Sequence, residues 1–360
     1  MRVKLSFLFG AFGFLLCRAT GWTQLPEDAL TVEMLQSLAE SRENTLSSAV
    51  TATYSVKYMS LPGKSAWFLQ GMANHTIAKA PVDETKEPVF QSFHECKLRL
   101  LDSVFSLEIS EPRNGHLELN HTDGTLSWLH LPKQNWAQIL VTPLTPQNMG
   151  VQKPWLPSYL TTFPDSMLGV ATGKKALTLG KLLVPSPDKT IEIYPADNGD
   201  VVVKIGTAIK SKIQGHELVR EVTLGKAVGF APIHYVAFYR WGADAFPPCI
   251  EVRYEDFARA GAVSFPRRIV FVSSDNQQVH GKPGAAEKVS DIQSYQTEEL
   301  TVAVSDLKLD QSLTAEEFAF KLPPKTTVQD MFAQKQYTTQ DPKDAVETLG
   351  RELDKAPKVK

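Results

Sequence analysis

The chain has 360 residues, 42% of them hydrophobic and 22% charged, with 38 Lys and Arg against 40 Asp and Glu and a formal net charge of −2. That apolar share supports a packed core and excludes a disordered chain, and the near balance of charge without a basic cluster excludes a nucleic-acid binder. Three cysteines in a chain of this length exclude a disulfide-dense scaffold.

Arg2 and Lys4 precede an apolar run from Leu5 to Leu16, and Ala19-Thr20-Gly21 follows it. This is the order of a secretory leader, too short to span a bilayer comfortably, and cleavage is expected after Gly21. A lipoprotein signal on Cys17 competes, but Leu15 and Leu16 stand where that processing wants small side chains. Loss of Arg2, Lys4 and Arg18 makes the mature chain three charges more negative. No later segment is long and apolar enough for a membrane helix, so an exported, periplasmic protein, peripheral to the membrane at most, is expected.

Pro26 opens an amphipathic helix: Leu30, Met34, Leu35, Leu38, Leu46 and Val50 form an apolar stripe, and Glu27 and Asp28 sit in its first turn. Without a Gly or Pro the pattern passes into Thr51–Tyr58, where Tyr54, Val56 and Tyr58 alternate and the period becomes that of a strand. His116–Asn120 and Gly124–Leu131 predict a hairpin on a tight Asp-Gly turn, and Thr190–Tyr194 with Val201–Ile205 a second one. Further strands are predicted at Leu218–Leu224, Ile233–Trp241, Ile250–Phe257, Ser264–Ser273 and Leu300–Leu309. So many sequential hairpins predict a mainly β (α+β) fold, a curled antiparallel sheet forming an unclosed barrel behind an N-terminal helix.

Residues 143–189 interrupt the strands with Pro, Gly and large apolar side chains, among them Trp155, Leu156, Tyr159, Leu160, Phe163, Met167 and Leu168. A segment this long and aromatic either lids or plugs an apolar cavity or supplies short helices that fill the core. Trp128, Trp136, Trp155, Tyr159, Phe163 and Met167 are the candidate ligand-binding residues, as cavity lining or lid. The expected organisation is a leader over 1–21, a half-barrel domain over 22–332 carrying the insert, and a charged tail over 333–360.

The sequence holds no Gly-x-Ser-x-Gly, His-Glu-x-x-His or Cys-x-x-Cys motif, and Gly169–Lys175 lacks the spacing of a phosphate loop. No enzyme, catalytic residue, metal or cofactor is expected. His116 and His121 have no reason to converge, Asp197–Asp200 reads as a solvated turn rather than a calcium loop, and Asn74 and Asn120 open sequons that matter only in a eukaryotic host. Cys96 and Cys249 either form a disulfide closing a very long loop or remain thiols.

Four stretches carry a family resemblance: the helix running into Thr51–Tyr58, Arg220–Gly225 followed by Ala231–Tyr239, Val263-Ser-Phe-Pro-Arg-Arg-Ile269, and the closing Glu317–Asp330. In this order they resemble the LolA/LolB-like lipoprotein-carrier superfamily, in particular its large exported variants related to outer-membrane lipoprotein sorting and to RseB/MucB-like regulators. Lys325 departs from the closing pattern, which has Gly there. The resemblance implies an unclosed antiparallel barrel with plug helices over an apolar cavity, and a lipid or lipoprotein acyl chain as ligand. It equally implies, as the alternative, an envelope-stress regulator acting on a protein partner.

Overall fold

The computed structural model describes residues 30–61, 91–140, 154–164, 177–196, 198–208, 216–278, 292–318, 322–331 and 333–339. The leader, Glu27, Asp28, Met167, Asn74, about half of the insert and the end of the tail lie outside the described residues.

Helix α1 (Val32–Ser48) begins at Thr31, whose hydroxyl accepts from the Met34 amide at 3.3 Å, and Glu33 occupies its first turn. Leu35, Ala39 and Leu46 bury its apolar stripe. Ala49 is already extended, so the chain enters β1 (Ala49–Ser60) with no loop, as the change of period predicts. The β-branched Val50, Thr51 and Thr53 favour that switch.

The remaining strands are β2 (Gln91–Leu101), β3 (Val104–Glu111), β4 (His116–Thr122), β5 (Ser127–Leu131), β6 (Trp136–Ile139), β7 (Thr162–Phe163), β8 (Leu177–Thr178), β9 (Lys189–Pro195), β10 (Val201–Ala208), β11 (His216–Gly225), β12 (Ala231–Trp241), β13 (Asp244–Ala245), β14 (Ile250–Ala260), β15 (Val263–Gln278), β16 (Ile292–Leu309), β17 (Thr327–Asp330) and β18 (Lys335–Thr338). Short helices α2 (Leu156–Thr161) and α3 (Leu179–Leu182) come from the insert. One sheet runs in the order β18-β17-β6-β5-β4-β3-β2-β1-β16-β15-β14-β12-β11-β10-β9, with β13 on β12, and β7 and β8 pair apart from it. Every pairing is antiparallel except β17 on β6. The path ends at β9 and β18 without closing, which gives the large open antiparallel sheet that the hairpin pattern predicts.

Register decides which side chains share a face. One row, Tyr54 on β1, Cys96 on β2, Ile109 on β3 and Val304 on β16, belongs to the inner face, which α1 covers. From β14 to β9 the same face is built by Tyr254, Val252, Tyr235, Val222, Val203 and Ile193. From β4 onward the buried side changes. His121, Trp128, His130, Ala137, Ile139 and Val328 stand on the outer face and are buried there, beneath a strap made by the chain after β16. Phe318 and Leu322 of that strap are buried too, and Arg99 of β2 lies 5.4 Å over the Phe318 ring.

Two details differ from the sequence reading. The β4–β5 connection is a four-residue loop, not a tight Asp-Gly turn: Asp123 Oδ1 accepts from both Thr125 N and Leu126 N at 2.8 Å, while Asp123 N donates to the Leu126 carbonyl at 3.3 Å. Strand β18 reaches into the stretch expected as tail.

Candidate functional site

The insert's described part lies across the inner face. Pro157 stands in the first turn of α2, where its missing amide costs nothing, and Pro164 follows the strand that ends it. Between them Trp155, Leu156, Tyr159, Leu160 and Phe163 are all at most 5% exposed. Each large ring meets a partner on the sheet. Trp155 stands edge-on to Phe105 of β3 with centroids 4.9 Å apart, Tyr159 lies 5.9 Å from Phe271 of β15, and Phe163 lies 4.8 Å from Tyr235 of β12 and 6.4 Å from Tyr254 of β14.

Those contacts reach from β3 to β12, seven strands that would span about 29 Å in a flat sheet. The backbone from Trp155 to Phe163 covers about 17 Å, and its ring side chains reach across the rest of that width. This segment is a plug.

Polar bonds fix it at few points. Tyr54 Oη donates to the Pro154 carbonyl at 2.5 Å and Tyr235 Oη to the Pro164 carbonyl at 3.1 Å. Arg42 of α1 donates from one terminal nitrogen to the Leu160 carbonyl at 3.1 Å and from Nε to the Ser264 carbonyl at 3.4 Å. A cation thus meets the carbonyl end of α2, where the helix dipole favours it. The adjacent Glu43 accepts from the Gly180 amide at 3.0 Å, at the amide end of α3, and Lys189 Nζ donates to the Leu182 and Val184 carbonyls beyond its other end. Two neighbouring side chains of α1 therefore hold opposite ends of the two insert helices.

Burial sets the charge states. The Tyr54, Tyr159 and Tyr254 phenols are pushed up by loss of water, and the Cys96 thiol is pushed up to about 12 for the same reason. These groups are neutral at pH 7. Burial lowers Arg42 to about 10, so it remains a cation, and burial raises Glu43 against the hydrogen bonds and the Arg42 charge that oppose it. Chemically the arrangement excludes water and presents rings, methyl groups and one guanidinium. A niche of about 20 Å³ lies beside Arg42, lined by Leu38, Leu160, Phe163, Leu179 and Phe230, and a larger cavity of about 470 Å³ lies against β1, β2, β3 and β16, lined by Thr53, Ser55, Phe93, Glu95, Lys97 and Glu108.

The structure brings Trp155, Tyr159 and Phe163 together in the plug. Trp128 lies on the opposite face in a separate small core with Ala137, Ile139, Leu322 and Val328. Trp136 faces inward but is half-buried on β6, three strands beyond the Phe105 contact. Cys96 and Cys249 are both thiols. His116 and His121 point to opposite faces, and no cluster of three or more metal-ligating side chains occurs among the described residues. Asn120 is buried, its amide donating to Glu118 Oε1 at 2.6 Å, which closes that sequon to a glycan.

The sheet-side rings and the Arg42–Glu43 pair were not singled out by sequence. Arg42 had a visible signal: it stands seven residues after Leu35 and four before Leu46, on the apolar stripe itself.

No family model matches the chain, and no curated protein sequence matches it. Among solved structures, a DUF1329 family protein from Desulfovibrio piger is similar over 80% of this chain and 97% of that one, with 10% identity and a TM-score of 0.35. An uncharacterized conserved protein from Thermus thermophilus is similar over 82% of this chain and 98% of that one, with 11% identity and a TM-score of 0.27. At those scores the likeness carries no argument about function.

Proposed function

We propose that this chain is an exported, non-enzymatic binding protein of the bacterial cell envelope that holds a lipid or acyl chain on the inner face of its sheet, in the place now taken by the plug. The observation that carries this reading is the plug itself. It covers a continuous row of apolar side chains while the described polar bonds fix it at only a few points.

The magnitudes fit such an exchange. Five large side chains at about 2 kcal/mol each bury roughly 10 kcal/mol of transfer free energy. An acyl chain at about 0.8 kcal/mol per methylene replaces that with roughly 13 methylenes, the length of a common fatty acid. The resemblance to LolA-type carriers supports the same ligand class.

Native mass spectrometry with lipid extraction on the detergent-free protein tests the proposal. A stoichiometric lipid or acyl adduct, kept or increased in Trp155→Asp and Phe163→Asp variants that keep the β-sheet circular dichroism but loosen the competing plug, is the expected result. An apo mass after incubation with excess palmitate and phospholipid overturns it and turns the search to a protein partner.

A further inference from the structure

We propose that the C-terminal strap is a pH-released cover: in acid, His121 and His130 take up protons and the strap leaves the outer face of β4–β6. The two histidines are diagonal neighbours on adjacent strands, since Leu119 pairs with His130 and His121 with Trp128. They are 4% and 3% exposed, which is rare for a group that titrates near neutrality.

Their surroundings are mixed. Across the face, one row runs His121, Trp128, Ile139, Asp330, Lys335, and the next runs Leu119, His130, Ala137, Val328, Tyr337. On the other flank stand Ser106 and Glu108 of β3 and Arg99 of β2, with Asp123 in the turn beyond β4. Over them the strap brings Glu316, Glu317 and the Phe318 backbone, which lies within hydrogen-bond reach of His121, while Leu322 packs on Trp128, Ala137 and Ile139.

Burial lowers the pKa of both imidazoles, and for His121 the Phe318 carbonyl and Asp123 offset only part of that. The covered state consequently binds fewer protons than the open one. The cover is at full strength above the unfolded histidine value of about 6.5 and weakens as pH falls below it, by up to tenfold per pH unit for each histidine. Two histidines give up to about a hundredfold per unit.

Peptide-resolved hydrogen exchange on the full chain, expressed as protection factors between pH 7.5 and 5, reads this directly. In the wild type, protection over Leu322–Thr338 should fall by between about ten- and a hundredfold per pH unit below about 6.5, while β1 and β16 keep theirs. His121→Gln and His130→Gln should each halve the logarithmic slope, and the double variant should abolish it. Constant protection in the wild type overturns the proposal. So does an undiminished slope in the single variants, which assigns the effect to groups other than the two histidines, or an equal fall in β1, which makes it global unfolding.

Discussion

Replacing Phe163 by Ala probes how firmly the plug is held. Phe163 is 2% exposed and packs on Tyr235 and Tyr254, so in a rigid core its truncation costs about 3–5 kcal/mol. The plug's own docking free energy is smaller. Its apolar burial contributes about 10 kcal/mol and three hydrogen bonds about 1 kcal/mol each. Against this, ordering roughly eleven residues from Pro154 to Pro164 costs about 11 kcal/mol at the low end of backbone entropy. The remainder is about 2 kcal/mol, less than the loss from one ring. Phe163→Ala should therefore undock the plug and lower global stability by only about 2 kcal/mol, and adding Trp155→Ala should cost almost nothing more. Urea unfolding of the two single variants and the double variant measures this, with hydrogen exchange over 155–163 reporting the undocking. Additive losses that sum to about 6–10 kcal/mol, with plug exchange as slow as that of β1, refute a yielding plug.

Three further outcomes are expected. Lys325 has φ +65°, a left-handed conformation that costs a non-glycine residue about 1–2 kcal/mol, so Lys325→Gly should raise the unfolding free energy read from urea curves by a net of about 0.5–1 kcal/mol after the added chain entropy. Burial raises the Glu43 pKa in the fold, so the folded state holds more protons there and its stability falls as pH rises through and above about 4.5; Glu43→Gln, which still accepts from the Gly180 amide, should remove that slope in a pH series of unfolding curves. The buried Cys96 thiol, held protonated up to about 12, should resist alkylation at pH 8 in the native protein and react only on unfolding, read by peptide mass mapping.

Much of the fold was legible because alternation survives in the sequence. The helix that becomes β1, the hairpin of β9 and β10 and the strands β11, β12, β14, β15 and the second half of β16 all follow from local period and turn residues. Alternation says which side chains share a face but not which face is buried, and for that reason Trp128 was grouped with Trp155 although they lie on opposite sides of the sheet. The strap that buries Trp128 is a long-range event with weak local pattern, as is the parallel pairing of β17 on β6. Within the site, the aromatic cluster Trp155, Tyr159 and Phe163 was legible from composition. Its partners Phe105, Tyr235, Tyr254 and Phe271 come from four strands, and only the register assembles them.

The competition between plug and ligand for one face is tested most directly by hydrogen exchange over residues 155–163 during a palmitate titration, with the adduct counted by native mass spectrometry in the same samples. The account predicts that protection of the plug falls in proportion to the bound fraction while the sheet strands keep theirs. Stoichiometric binding with the plug's protection unchanged or increased would contradict it.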